Sequence, residues 1–205
     1  SFSYQENTYK LSCLGIHQAR NAALCIDIAR SLNVPIKAIQ RGLASAKLPL
    51  RMEIVHKNPL IILDGAHNPD KMKTTVAAVK TITQENKKIK KQIRKSGLSV
   101  YPDITVHLIL GFSENKNIAA MLRQLATLTP KTIACTRNTV NPFRKVYDPG
   151  DLQKQCQKYM PHAMANIFLD PADAVQWSKK QTKKGDVLLI TGSIFLSGEI
   201  RQMFA

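Results

Sequence analysis

The sequence predicts an α/β fold, in which a mostly parallel sheet carries helices on both faces and follows a helical segment. Two observations support this prediction. Short apolar runs alternate with longer amphipathic runs over most of the 205 residues, and such alternation is typical of parallel sheets. Apolar residues make up 44% of the chain, which suits a buried core and argues against disorder.

The first part of the chain is predicted to be mainly helical. Residues 7–13 predict a short strand, and a helical spacing of apolar residues runs from Gly15 to near Leu32. A turn follows, and a second helix is predicted from Pro35 to about Ala46, because proline is favoured at the first position of a helix.

The tripeptide Leu48-Pro49-Leu50 interrupts this pattern. Helical periodicity stops on both sides of it, and proline restricts the backbone. We therefore expect a connector between two domains, which comprise residues 1–46 and residues 47–205.

Beyond the connector, strands and helices alternate. Six strands are predicted at 52–56, Leu60–Leu63, 105–110, Thr132–Cys135, 166–169 and Val187–Thr191. Five helices are predicted at 70–94, 118–128, Pro149–Tyr159, 172–183 and 197–204. Residues 86–103 are basic and then rich in Gly, Ser and Pro, which favours a mobile surface insertion.

The net charge of +16 arises from 30 Lys and Arg against 14 Asp and Glu. This balance permits binding to nucleic acid or to polyanionic small molecules. Much of the charge lies in two runs, at 87–95 and 179–184. Both runs lack interleaved aromatic residues and fall on predicted helices, so we interpret them as solvated helix surface and do not expect nucleic acid as a partner.

The cysteines and the apolar runs indicate the cellular setting. Four widely spaced cysteines contain no Cys-x-x-Cys pair, which fits a reducing cytoplasm better than a disulfide framework or a zinc knuckle. No apolar run approaches the ~20 residues that cross a bilayer, and no export leader is visible. Because the chain begins with Ser and with residues typical of the middle of a domain, we expect it to be a fragment.

The most informative segment is Leu-Ile-Ile-Leu-Asp-Gly-Ala-His-Asn-Pro over residues 60–69. A buried strand ends here in polar residues, and a helix begins. In α/β proteins ligands collect at the carboxyl ends of strands, where helix N–H groups are also free. Asp64, His67 and Asn68 are therefore candidate ligand-binding residues. The alternative is that Asp64 and Asn68 only shape the turn and cap the helix.

Two further strand ends carry small polar residues. The strand 187–191 leads into Gly192 and Ser193, whose hydroxyl and nearby N–H groups suit a carboxylate, although Ser193 could equally be a helix N-cap. Another strand ends at Gly111-Phe112-Ser113. Three polar strand ends on one sheet edge predict a cleft.

Two candidates come from outside the predicted sheet. Arg51 directly follows the connector and could pair with phosphate or ribose oxygens, or form a surface salt bridge. His17, Gln18 and Asn21 lie near the start of the first long helix, where capping is the alternative role.

Taken together, these motifs resemble one family across nearly the whole chain. The series comprises His17-Gln-x-x-Asn21-Ala-Ala, Leu48-Pro-x-Arg51, Leu63-Asp-Gly-Ala-His-Asn-Pro69, Gly111-x-Ser113 and Thr191-Gly-Ser193. It closely resembles folylpolyglutamate synthases, and the bifunctional dihydrofolate synthases of the Mur ligase superfamily are similar.

The resemblance implies an ATP- and Mg²⁺-dependent ligase that adds L-glutamate to the γ-carboxylate of a folate through an acyl phosphate. A P-loop domain would bind ATP and folate, and a smaller Rossmann-like α/β domain would close over it. Residues 1–46 would be the tail of the first domain and residues 47–205 the second. By motif match, Asn21, Arg51 and Asp64 would contact ATP, whereas His67 and Ser193 would hold glutamate. A monomer is expected.

Three departures from the family pattern stand out. Glu114-Asn115-Lys116 replaces an Asp-Lys-Asp-like run, and Phe195 stands where relatives often carry Tyr. No Gly-x-x-x-x-Gly-Lys-[Ser/Thr] motif occurs, so no phosphate-binding loop or metal site is expected in this chain, which alone should be inactive. The alternative is a free-standing, non-catalytic module that binds anions or nucleic acid. A ligase with a cell-wall acceptor is a third possibility, which the Asp-Gly-Ala-His-Asn-Pro segment disfavours.

Overall fold

The computed structural model describes residues 1–11, 15–95, 104–141, 143 and 145–204. Strands comprise β1 (Phe2–Tyr4), β2 (Asn7–Tyr9), β3 (Glu53–Lys57), β4 (Leu60–Leu63), β5 (Val106–Leu110), β6 (Thr132–Cys135), β7 (Met164–Ile167) and β8 (Val187–Thr191). Helices comprise α1 (Ile16–Ser31), α2 (Ile36–Ser45), α3 (Pro69–Lys95), α4 (Ile118–Ala126), α5 (Pro149–Tyr159), α6 (Pro171–Gln181) and α7 (Ile194–Arg201), and a 3₁₀ turn follows at Gln202–Phe204.

Six strands form the central sheet in the order β3-β4-β8-β5-β6-β7. Only β3 is antiparallel to its neighbour, and the other four pairings are parallel. Leu63 pairs with Ile190 and Leu110 pairs with Thr191, so the carboxyl ends of β4, β8 and β5 reach the same edge. The predicted α/β fold with a mostly parallel sheet is confirmed.

Helices cover both faces of this sheet, as predicted. One core contains Leu108 and Leu110 of β5 together with apolar residues of α3, α4 and α5. The other contains Ile109 of β5 together with apolar residues of α6 and α7. Successive residues of a strand point to opposite faces, which explains why β5 is buried throughout.

The first 46 residues contain a small core of their own. The hairpin β1–β2 is antiparallel, and a third core joins Tyr9 of β2, Ile26 of α1 and Ile39 of α2. Both predicted helices are present. The predicted strand at 7–13 is shorter and ends at Tyr9, while residues 12–14 lie outside the described part of the chain.

Some element boundaries differ from the prediction. Strand β7 runs from Met164 to Ile167 instead of 166–169, because its partner β6 ends at Cys135 and Asp170 then caps α6. The last helix begins at Ile194 instead of residue 197, because Ser193 caps it.

The basic segment expected to be a mobile insertion at 86–103 differs from the prediction in its first part. Helix α3 continues to Lys95, so residues 86–95 are helical and residues 96–103 lie outside the described part of the chain. Among the described residues, none of the helices combines the length and apolar character that a membrane span requires.

Candidate functional site

A cavity of about 390 Å³ lies between α1, the connector and the start of α3. This volume falls within the range of small-molecule sites. Residues from both predicted domains contribute to it, and all three residues expected to contact ATP are among them. The cavity is lined by His17, Gln18, Asn21, Arg51, Asp64, Asp70, Lys71, Thr74 and Thr75.

The start of α1 supplies one wall. Gly15 is the N-cap residue, with φ 103°, and no side chain caps the helix. A Cβ at this position would lie 2.6 Å from the His17 ring, so glycine permits both the backbone turn and the ring position. The Gln18 side chain lies 3.1 Å from His17 Nε2, and Asn21 Nδ2 lies 3.5 Å from Gln18 Oε1. These polar groups therefore form a linked row facing the cavity instead of capping the helix.

Asp64 is buried at the end of β4, where its carboxylate accepts three hydrogen bonds. Oδ2 accepts from Met52 N at 3.0 Å. Oδ1 accepts from Ala66 N at 2.9 Å and from Thr75 Oγ1 at 2.7 Å. A single carboxylate therefore joins the connector, the β4–α3 turn and helix α3. The turn-shaping role considered for Asp64 is present in the structure.

The connector holds Arg51 in the cavity wall. Leu50 and Met52 flank it with φ of 59° and 49°, a left-handed conformation that is unfavourable for such side chains. Leu50 O accepts from Gly65 N at 2.8 Å, which fastens the connector to the sheet edge. Among the described residues, no carboxylate lies within ion-pair distance of Arg51, so the surface salt bridge considered for it is not formed.

His67 follows the same turn. Its Nδ1 lies 2.8 Å from Gly65 O, and its Nε2 lies 3.5 Å from Lys71 Nζ. Burial is the main cause that lowers the pKa of the imidazole, and the hydrogen bond to Gly65 opposes this shift. Positive charge from Lys71, Lys116 and Arg51 lowers the pKa further. Burial and the nearby positive charges therefore favour the neutral form of the His67 imidazole.

The neighbouring Asn68 has the capping role considered for it. Its Oδ1 accepts a hydrogen bond from Lys71 N at 2.9 Å.

His17 in the cavity wall also has a lowered pKa. Burial is the main cause, Asp64 opposes the shift, and Arg51 adds to it.

Ser193 lies beside this site but does not line the cavity. Gly192 has φ 103°, and its N–H donates to Ala66 O at 3.0 Å, which brings the end of β8 next to the residue preceding His67. Ser193 Oγ accepts from Leu196 N at 3.5 Å, and Ser193 is only 3% exposed. The N-cap role considered for Ser193 is therefore formed.

The end of β5, the third strand end of the predicted cleft, is covered and does not line the cavity. Phe112 is buried, and its carbonyl accepts from Tyr147 N at 2.9 Å. Ser113 forms an isolated antiparallel bridge with Val146. The segment leading into α5 therefore closes the end of β5, and the cavity opens at the end of β4 instead.

Sequence reasoning did not single out Lys71 or Thr75. Lys71 follows His67 by four residues at the start of a predicted helix, a spacing that places two side chains on one face. Thr75 follows Lys71 by the same interval. The first of these spacings is a signal that could have identified Lys71, whereas the contact of Thr75 with Asp64 depends on how α3 packs against the end of β4.

The described residues contain no group of three or more His, Cys, Asp or Glu side chains that could hold a metal ion.

A family model for the C-terminal domain of dihydrofolate synthetase matches residues 47–203. The chain belongs to this family. The resemblance to folylpolyglutamate and dihydrofolate synthases, and more widely to Mur ligases, is confirmed.

Two curated relatives are similar over nearly the whole chain. The folylpolyglutamate synthase of Lacticaseibacillus casei is 34% identical over 98% of this chain and 42% of its own length. The UDP-N-acetylmuramoyl-L-alanyl-D-glutamate–2,6-diaminopimelate ligase of Clostridium perfringens is 32% identical over 90% of this chain and 34% of its own length.

A solved structure shows the same fold. Mycobacterium tuberculosis folylpolyglutamate synthase, complexed with ADP and AMPPCP, superposes with a TM-score of 0.75 at 18% identity, covering 95% of this chain and 41% of that one. The chain thus spans less than half the length of these family members.

Proposed function

We propose that this chain is the C-terminal part of an ATP-dependent ligase that adds L-glutamate to the γ-carboxylate of tetrahydrofolate through an acyl phosphate. Residues 1–46 would belong to the ATPase domain and residues 47–205 to the domain that closes over it. The cavity carries this proposal, because both parts of the chain line it. Family membership of residues 47–203 supports the assignment.

In this proposal the cavity takes part of the ATP molecule. Arg51 has no carboxylate partner among the described residues and offers a guanidinium for phosphate oxygens, a geometry that favours paired hydrogen bonds. Asn21 contributes an exposed amide from the opposite wall. Asp64 has accepting capacity beyond its three internal hydrogen bonds, since a carboxylate offers about four lone-pair directions. The M. tuberculosis folylpolyglutamate synthase, which has the same fold, was solved with ADP and AMPPCP, and this supports a nucleotide as the ligand.

Glutamate is proposed to bind beside the cavity, at His67 and Ser193. The main-chain bond between Ala66 and Gly192 places these two residues on adjacent turns. Ser193 is buried and bonded to Leu196 N, so its hydroxyl would have to rotate away from the cap to reach a substrate.

The chain alone is proposed to be inactive. The P-loop domain of the natural protein would supply the phosphate-binding loop and the Mg²⁺ site, and would bind most of the folate. We further propose a cytoplasmic monomer whose partners are folate, polyglutamyl folate and glutamate, and not nucleic acid.

The decisive experiment uses the natural protein that contains this chain. With ATP, Mg²⁺, tetrahydrofolate and L-glutamate, we expect equal amounts of ADP and of folate lengthened by one glutamate, measured by chromatography and mass spectrometry. Replacing glutamate with glutarate, which lacks the amine, should abolish lengthening. Failure to form either product with glutamate would overturn the proposal and favour a non-catalytic anion-binding module.

A further inference from the structure

Lys71 lies beside His67, one of the two residues proposed to bind glutamate, and has no role in the proposed contacts so far. Both side chains are half-buried, and Lys71 Nζ lies 3.5 Å from His67 Nε2. Lys71 also lines the cavity. A primary ammonium and an imidazole nitrogen therefore lie together where the cavity meets the end of β4.

The hydrogen bond on the other side of the ring determines which nitrogen carries the proton. Nδ1 lies 2.8 Å from Gly65 O, and a carbonyl oxygen can only accept. In the neutral ring Nδ1 must therefore be the protonated nitrogen, and Nε2 presents its lone pair towards Lys71.

Charged groups from three elements act on this ring. Lys71 belongs to α3, Arg51 directly follows the connector, and Lys116 belongs to the loop after β5. Together with burial, they lower the pKa of His67, which favours an unprotonated Nε2. The same positive charges would lower the pKa of an ammonium group bound beside them and ease its deprotonation.

We propose that Lys71 and His67 together bind the α-amino-acid end of the acceptor, with Lys71 holding its carboxylate and His67 Nε2 accepting a proton from its amine. This inference rests on the proposed ligase function and deepens it. An α-amino acid carries both groups on one carbon, so a cation and a neutral acceptor 3.5 Å apart complement it.

The proton balance of the step is as follows. The substrate ammonium gives one proton to Nε2, and the freed electron pair forms the C–N bond to the acyl carbon. The C–O bond to phosphate breaks, and phosphate leaves with the electron pair of that bond. The remaining excess proton passes from nitrogen to solvent, and the imidazolium returns its proton to solvent before the next turnover.

Steady-state kinetics of the natural protein test this pairing. Lys71→Met should raise the KM for glutamate roughly tenfold, as expected for one lost charge-assisted hydrogen bond, with a smaller change in the KM for ATP. The acid limb of the kcat/KM profile for glutamate should move to higher pH, because loss of the ammonium raises the pKa of His67. His67→Asn should lower kcat. Lys73→Met, an exposed lysine on the same helix, is the matched control and should change neither constant more than about twofold.

A second readout does not depend on turnover. Titration of the His67 ring by NMR should give a higher pKa in Lys71→Met than in the wild type and in Lys73→Met. A Lys71→Met enzyme with the control's KM and pH profile would overturn the inference and leave the ligase function intact. An unchanged His67 titration would also overturn it. An inactive wild-type enzyme would instead overturn the ligase function, and this inference with it.

Discussion

At the scale of single residues, Asp64 supports the site by its internal bonds as well as by its position. Its carboxylate accepts from a main-chain N–H of the connector, from one of the turn and from the Thr75 hydroxyl. Its main-chain oxygen accepts from Ser197 Oγ at 3.0 Å. Four separate parts of the chain therefore meet at one residue, and its substitution will not affect ligand binding alone.

We predict that Asp64→Asn lowers the free energy of unfolding by about 2–4 kcal/mol, because an amide cannot accept at both oxygen positions and buried donors lose their partners. Asp70 lines the same cavity but is exposed, and Asp70→Asn should cost less than about 1 kcal/mol. Urea denaturation of both variants measures the difference. Equal losses would contradict the bonding role of Asp64.

Substitution of Arg51 should weaken ATP binding instead of lowering the free energy of unfolding. Because its guanidinium has no carboxylate partner among the described residues, Arg51→Ala is expected to raise the KM for ATP of the natural protein roughly tenfold or more. Arg20→Ala, an exposed arginine of α1 outside the cavity lining, should leave it unchanged. An Arg51→Ala enzyme with wild-type KM would refute the assigned contact.

The sequence identified much of this site but not its internal bonding. Asn21, Arg51 and Asp64 stood out because they belong to the series of motifs that resembles the family. Thr75 did not, because a threonine inside a helix carries no signal of its own. Its role follows only from the close approach of α3 to the end of β4, a tertiary contact that sequence spacing does not specify.

At the scale of elements, two glycines illustrate opposite uses of the residue. Gly192 joins β8 to α7 with φ 103°, and a Cβ there would lie 2.6 Å from Gly111 O. Gly42 lies inside α2, where a Cβ would meet nothing within 4 Å.

We therefore predict opposite effects of the same substitution. Gly192→Ala should destabilise the protein by at least about 2 kcal/mol, since both the backbone conformation and the close approach oppose a side chain. Gly42→Ala should stabilise α2 by about 0.5–1 kcal/mol, because alanine loses less backbone entropy in a helix. Thermal unfolding of the two variants in parallel is the measurement, and shifts of the same sign would be inconsistent with this account.

Most elements could be predicted because their apolar pattern agrees with their environment. Strand β5 is apolar apart from His107 and is buried on both faces, and α5 begins at the expected proline. The prediction placed the start of α7 at residue 197 because Ile194 and Phe195 also suit a strand. In the structure Ser193 caps the helix, which therefore begins at Ile194. Strand β1 was missed because three residues carry too little periodicity.

At the scale of the whole molecule, the sheet edge opposite the cavity contains a buried histidine. His107 of β5 is 1% exposed; its Nδ1 lies 2.7 Å from Thr132 Oγ1, and its Nε2 lies 3.4 Å from Asp186 Oδ2. Burial lowers the pKa of His107, although Asp186 opposes the shift. The unfolded chain, with an ordinary histidine pKa of 6.5, therefore binds this proton more readily than the folded protein does.

Stability should consequently be greatest above pH 6.5 and decline as the pH falls below that value, where the unfolded chain takes up the proton first. His107→Gln should reduce this dependence, whereas replacing the exposed His162 with Gln should preserve it. Urea midpoints between pH 5 and 8 give the comparison. His107→Gln with the wild-type slope would show that other groups dominate.

The three cores predict that two parts of the chain unfold with different free energies. The small core of Tyr9, Ile26 and Ile39 contains residues of the first 46 only, whereas the other two share the central sheet. Ile26→Ala should cost about 2–4 kcal/mol within the small core. Hydrogen exchange followed by mass spectrometry should then show faster exchange in α1 and α2 with β8 unchanged, while Leu189→Ala should accelerate exchange across the sheet. Equal acceleration everywhere in Ile26→Ala would mean that the chain unfolds as one unit.

The attachment of the connector has a mechanical consequence. Leu50 O is bonded to Gly65 N, and Met52 N is bonded to Asp64. The chain from Leu50 onward therefore moves as part of the sheet. Any rotation of the first 46 residues against the sheet has its pivot before Leu50, within residues 47–49.

In such a rotation Arg51 moves with the sheet, whereas Asn21 moves with α1. The distance between the Arg51 and Asn21 side chains therefore measures how far the cavity is open. A pair of spectroscopic labels on either side of residues 47–49 would report each opening and closing without any substrate turning over.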